Sequence, residues 1–382
     1  MGAVLVNIGI LPHEGDPFIR GFAEIGIIVI MFALGFEENT SNFIKGIKRS
    51  WGIALFGGLA PFCAAYAVAD YFWSDFNVSI LCGLTMTATA ISLTMVSLKS
   101  EGLHKTKAAT GIMTSAVLDD IASLILVAIL VPLASGQAIL SVLGIAFIVA
   151  KAVGFFMIVM FVAKWILPHE GPHWLARVPV IGHYGIKHVL SFGEGEQSVL
   201  TVLLIALLSG LLAQKFGFHP AVGAYMAGLI LKEEYFRFDH HPSKDFYEST
   251  KQIIDSVAFS WIGPVFFVEL GTKIIFDWDV FVSVIPETAV LFLSIVAAQI
   301  ISATLAARYT GGFKIEEALM IGFGMLGRAE LAFVVMDIAY VQNQIFSTEV
   351  FYTLMFTAFW LNVCVPVSIK LWKPYFNKAI ES

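Results

Sequence analysis

Apolar residues in this chain come in long blocks, not in the alternating runs of a half-buried strand. About 20 such residues carry a helix across the hydrocarbon of a bilayer. Blocks long enough to cross fall near 19–37, 51–73, 78–98, 108–133, 138–164, 197–215, 219–232, 255–272, 279–307, 315–341 and 348–372, of which 219–232 is short and glycine-rich. A stub from Gly2 to Leu11 precedes them and is too short to cross alone. No basic stretch with a small-residue cleavage site leads into the first full block, so the stub does not read as a signal peptide. The pattern predicts an all-α polytopic membrane protein with about 12 transmembrane helices, the first one partial.

Composition agrees. The 382 residues are 58% hydrophobic and 14% charged, against about 45–50% and roughly 25% in soluble domains. That excludes a soluble enzyme, a nucleic-acid binder and a disordered scaffold. A formal charge of −6 argues further against polyanionic partners. Cys63, Cys82 and Cys364 all lie in apolar runs, which indicates neither a disulfide framework nor a thiolate zinc site.

Lysine and arginine accumulate in cytoplasmic connections. Every second connection here is basic: 38–50, 99–107, 164–196, 232–254, 308–314 and the tail after 370 hold 18 of them. The alternate connections hold only Arg20, Lys215 and Lys273. The expected topology therefore ends in a short cytoplasmic tail, 373–382, with no room after it for a nucleotide-binding domain. The segment 164–196, with Trp174, reads as an interfacial helix and turn at the seam between two bundles.

A weak repeat runs through the blocks. Ile30 to Glu37 and Val265 to Gly271 both place a phenylalanine-rich run before a glycine, with an acid nearby. Two later blocks are polar in their middles, at Thr85 to Ser92 and at Gly322 to Glu330. The topology runs the members of each pair in opposite directions, as an inverted-topology repeat with two broken helices requires. Glycine and threonine are also simply common in membrane helices, which is the plainer account.

Charges inside the blocks cost too much to be incidental. Asp119 and Asp120 lie at the centre of 108–133, and a central carboxylate costs roughly 2.5–3.5 kcal/mol on insertion scales. Two neighbouring carboxylates in a dry site cannot easily ionise together, so their protons leave in coupled steps. Such oxygens can hold a desolvated cation, or hold protons instead, and that competition is enough for exchange. A structural pair bonded to nearby hydroxyls is the alternative. Arg328 and Glu330 lie near the centre of 315–341, where an internal ion pair at a broken helix is as good an account as a transport role. The hydroxyls of Thr87 and Thr89 can replace backbone hydrogen bonds in an unwound stretch. Lys151 stands mid-block with no acid in its own helix, while Glu287 and Asp337 fall nearer block ends. No HExxH, metal-spaced thiol pair or strand-flanked glycine pattern is present, and no resident cofactor is expected.

Together these pieces resemble the monovalent cation:proton antiporter-2 family, which includes Nap-type sodium:proton antiporters and Kef-type potassium efflux proteins. The resemblance is carried by Phe22 to Gly26, Met31 to Glu37, Thr87 to Ala90, Asp119 to Ala122, Ala221 to Gly228, Gly263 to Gly271 and Gly327 to Phe333. It implies an antiporter fold of the Nha/Nap kind. Asp120 would match the carboxylate that binds cation or proton, and Asp119 its neighbour, which is often Gln in the Kef branch. Thr87, Ala88 and Thr89 would match one unwound crossover, and Arg328 and Glu330 the charges of the other. The family's architecture implies a homodimer in a prokaryotic inner membrane. In it a core bundle, about 51–133 and 279–372, slides against a dimerisation bundle, about 1–37 and 138–272.

Two departures stand out. Family members usually have thirteen spans, and this chain begins inside what matches the second. The span before the second broken helix normally carries a Lys that pairs with the aspartates; the best match here puts Gln299 in that place. A Gln can hydrogen-bond the carboxylates but cannot release a charge, which implies altered stoichiometry, electroneutral exchange included. The expected transport is sodium or lithium against protons. A Kef-like potassium system is the runner-up, and a sodium-coupled organic-anion symporter is disfavoured because the carboxylates would repel its substrate.

Overall fold

The computed structural model describes residues 1–12, 16–37, 40–136, 147, 150–151, 154–155, 157–159, 161, 190, 197–231, 233–236, 246–275, 277–328 and 330–381. The expected block 138–164 lies largely outside them. So does the 164–196 segment, apart from Leu190.

In chain order the first helices are α1 (Gly2–Asn7), α2 (Pro17–Glu37), α3 (Thr40–Trp73), α4 (Phe76–Thr85), α5 (Ile91–Ser100) and α6 (Lys107–Ala134). Then come α7 (Ser198–Lys215), α8 (Pro220–Ile230), α9 (Phe246–Asp255) and α10 (Gly263–Gly271). The last are α11 (Trp278–Ser283), α12 (Ile285–Tyr309), α13 (Ile315–Gly324), α14 (Glu330–Asp337) and α15 (Thr348–Glu381). Among the described residues, 7 stretches are long and apolar enough to cross a membrane. The chain is an integral membrane protein. The block expected at 255–272 begins earlier, at Phe246, because α9 runs through a π-helical turn, Ser256–Trp261, into α10.

Helix starts follow local chemistry. The Asp75 carboxylate accepts the N–H groups of Asn77 and Val78 to open α4, and the Thr106 hydroxyl accepts that of Ala109 to open α6. Pro220 opens α8, where its missing N–H costs nothing.

The chain divides into two compact units, Met1–Thr40 with Ala146–Phe276, and Ser41–Ile145 with Asp277–Ser382. In the first, α2 packs against α8 and α10, and α8 against α7. The α2–α8 crossing is backbone on backbone: Gly35 lies under the Tyr225 carbonyl and Gly228 under the Phe32 carbonyl, with no room for a β-carbon at either. The Tyr247 hydroxyl donates to the Phe36 carbonyl at 2.8 Å. Lys151 is half-buried, its Nζ 5.9 Å from the centroid of the Phe147 ring.

In the second unit four short helices are held among long ones. The pair α4 and α14 pack together, α4 and α5 rest on α6, and α13 is held by α6, α12 and α15. Trp372 Nε1 donates to the Glu316 carbonyl at 3.1 Å, and Lys373 pairs with Glu101 at 2.9 Å, fixing the far end of α15.

Candidate functional site

The site lies wholly in the second unit and begins with two places where helix gives way. Thr85 and Thr87 turn their hydroxyls back onto the carbonyls of Leu81 and Gly83, at 2.7 and 2.9 Å. Such back-bonding competes with the helix ladder, and the chain between α4 and α5 is non-helical over Met86–Ala90. A second non-helical stretch, beginning at Met325, separates α13 from α14. The two stretches meet. Thr89 and Arg328 form an antiparallel bridge, and the Ala90 N–H donates to the Gly327 carbonyl at 3.0 Å.

Freed backbone groups need partners in an apolar interior, and several of them have partners here. The Thr94 hydroxyl donates to the Gly324 carbonyl at 2.7 Å. The Arg328 N–H donates to Asn362 Oδ1 at 2.7 Å, and Asn362 Nδ2 donates back to the Arg328 carbonyl at 3.3 Å. Gly327 allows the approach, since a β-carbon there would fall 3.1 Å from that of Ala90 and 3.2 Å from Asn362 Oδ1.

Beside this crossing stands the middle of α6. Asp119 and Asp120 are both buried, at 1% and 9% exposure. Thr89 Oγ1 donates to Asp119 Oδ2 at 3.1 Å. The other Asp119 oxygen faces α3 at Gly58, where a β-carbon would come within 2.7 Å of it. Asp119 is therefore held between a hydroxyl of the unwound chain and bare backbone. Thr87 and Ala88 are buried in the same stretch.

Arg328 is fully buried, at 1% exposure. Its Nη2 donates to Gln299 Oε1 at 3.1 Å, and its Nη1 reaches the carbonyls of Gly327 and Met325 at 3.2 and 3.4 Å. The guanidinium and Asp119 attract one another electrostatically, yet its hydrogen bonds go to neutral oxygens. Gln299, at 0% exposure, also donates through Nε2 to the Gly57 carbonyl at 3.0 Å. In this structure its amide bonds join Arg328 to α3, in place of the carboxylate contact open to it on sequence grounds. Glu330 is half-buried and opens α14, where a helix N-terminus favours negative charge.

The structure thus brings together Thr87, Ala88, Thr89, Asp119, Gln299 and Arg328. Three contributors escaped the sequence reading. Adjacent glycines at 57 and 58, mid-block, signal a close backbone approach. Asn362 is a lone amide inside an apolar run, costly enough to need a partner.

The family model described as "Sodium/hydrogen exchanger, transmembrane" matches residues 1–169 and 174–372. A probable Na(+)/H(+) antiporter, GerT, of Bacillus cereus is 25% identical over 340 residues, covering 88% of this chain and 82% of that protein. A Na(+)/H(+) antiporter of Enterococcus hirae is 23% identical over 388 residues, covering 100% of this chain and 90% of its own. The solved structure of the sodium proton antiporter MjNhaP1 from Methanocaldococcus jannaschii superposes with a TM-score of 0.67 at 15% identity, covering 97% of this chain and 90% of that one. That likeness is one of fold.

Proposed function

This chain belongs to the transmembrane sodium/hydrogen exchanger family, and we propose that it exchanges sodium or lithium for protons at Asp119 and Asp120. The observation that carries this reading is a buried carboxylate pair beside two crossing non-helical segments, with the Thr89 hydroxyl on Asp119. A cation that sheds its water needs oxygen ligands, and carboxylates supply them only while ionised. A proton on either carboxylate removes a ligand and a charge. Cation and proton therefore exclude each other at one site.

Charge arithmetic favours one for one. Among the buried charges of the site, two ionised carboxylates and Arg328 sum to one negative charge. One bound cation brings the site to neutrality, and so does one bound proton. Both loaded forms then cross the apolar interior without net charge. A Lys in place of Gln299 would supply a further proton to release, and none is present. Exchange is accordingly electroneutral.

The same reading takes α4–α5 and α13–α14 as two interrupted spans of an inverted repeat. The unit holding them serves as the moving core, and the other unit serves as the scaffold of a homodimer. The division of the chain into two compact units supports this, as does the order of short helices around the crossing. The basic connections favour a cytoplasmic C-terminus, and on this reading the protein lies in a prokaryotic inner membrane.

Proteoliposomes loaded with a pH-sensitive dye test the function. Sodium or lithium added outside should move protons at neutral membrane potential, and Asp120→Asn should stop it. Proton movement equal in the variant, or driven by potassium alone, would overturn the sodium reading. Current per turnover on a supported membrane tests the stoichiometry: sustained charge movement is incompatible with it.

A further inference from the structure

We propose that Gln299 is a positioning residue that holds the Arg328 guanidinium off Asp119, so that the arginine offsets the site's charge without occupying its cation-binding oxygens. The inference rests on the exchange reading above and deepens it.

An arginine beside a carboxylate in a dry interior ordinarily forms a direct, often bidentate pair. Such a pair here would saturate the oxygens that a cation needs, and the site would be its own inhibitor. The structure shows another arrangement. Arg328 Nη2 is engaged by Gln299 Oε1 at 3.1 Å, and Nη1 by the Gly327 and Met325 carbonyls. Gln299 is in turn anchored, because its Nε2 donates to the Gly57 carbonyl at 3.0 Å. Next to that anchor, Gly58 backs onto Asp119 Oδ1. One amide thus fixes the spacing between guanidinium and carboxylate through the backbone of α3. Both of its polar ends are used, and neither is exposed.

The chemistry required of this position is specific. The side chain needs an acceptor toward Arg328, a donor toward Gly57, and no charge of its own. Gln meets all three. Lys keeps the donor but removes the acceptor and sets a second cation against Arg328. Leu and Met keep neither.

The test compares Gln299→Leu, Gln299→Met and Gln299→Glu in the dye-loaded proteoliposomes, with apparent KM for sodium and maximal rate measured separately. In the Leu and Met variants the released guanidinium swings onto Asp119 and competes with sodium, so KM should rise by tenfold or more. In the Glu variant the acceptor for Nη2 remains but the donor to Gly57 is lost, so KM should rise less than in the Leu variant. A Leu or Met variant with parental KM, or one that loses only maximal rate, overturns the inference. So does a Glu variant as impaired in KM as the Leu one. Should Leu unfold the protein, judged by melting temperature in detergent, the longer Met decides alone. Absence of sodium-driven proton movement in the parent protein would instead defeat the exchange reading, which keeps the two failures distinct.

Discussion

Thr89 and Asp119 are joined by a hydrogen bond of 3.1 Å from hydroxyl to carboxylate, although they belong to different elements, the unwound stretch after α4 and the centre of α6. The bond ties the charge state of α6 to the geometry of the crossing. Thr89→Val keeps the shape and removes the donor. A hydrogen bond to a charged group contributes about 1.5–3 kcal/mol. The variant should therefore lose sodium affinity by about ten- to a hundredfold, read as apparent KM in proteoliposomes, while Thr89→Ser stays close to the parent. Equal loss in Val and Ser would mean that the methyl group, not the hydroxyl, matters at this position.

The two aspartates should not be equivalent. Asp119 is already engaged by Thr89 and faces the Arg328 charge, while the family resemblance gives Asp120 the direct ligand role. Asp120→Asn should abolish sodium-driven proton movement, and Asp119→Asn should weaken it or change its ion preference. Because protons and sodium exclude each other, apparent KM for sodium should rise as pH falls in the parent protein. A KM flat across acid and neutral pH would show that the two ligands bind separate places.

Much of this site was legible beforehand, for a physical reason. In a chain only 14% charged, each ionisable group within an apolar block marks a cost that something must offset. That logic alone found Asp119, Asp120 and Arg328. It could not foresee how Arg328 is satisfied, because the partners are far off in sequence: Gln299 on α12 and Asn362 on α15. Residue type told that Gln299 carries no charge, but not that its amide faces Arg328 and Gly57. Boundaries suffered likewise. The polar middle at Thr85 to Ser92 marked where helix yields, but hydropathy alone could not set the limits of the non-helical stretch at Met86 and Ala90, both apolar residues.

Glycine at 58 should be a steric requirement. A β-carbon there would come within 2.7 Å of Asp119 Oδ1, closer than contact permits. Gly58→Ala must push α3 back or turn the carboxylate away from Thr89. Overpacking of this kind costs about 1–3 kcal/mol, so the melting temperature in detergent should fall and sodium affinity with it. Gly21→Ala is the control, because a β-carbon at Gly21 meets nothing within 4 Å. If Gly58→Ala matched that control in both measurements, the close approach of α3 to the site would be wrong.

Asn362 carries the last prediction, since it holds Arg328 by the backbone while Gln299 holds it by the side chain. Its Oδ1 accepts the Arg328 N–H at 2.7 Å and its Nδ2 donates to the Arg328 carbonyl at 3.3 Å. This amide therefore stands in for the helix bonds lost between α13 and α14. Asn362→Leu keeps the branched shape and leaves both backbone groups without that partner, at a cost of about 1–3 kcal/mol for each buried group. The variant should melt several degrees lower. Asn362→Asp keeps the acceptor for the shorter bond but has no donor for the longer one, so it should fall between Leu and the parent. Its carboxylate is also new charge beside Arg328, which should alter sodium KM in a way that Leu does not. Melting temperatures that rank Asp below Leu would show that charge, not backbone pairing, governs this position.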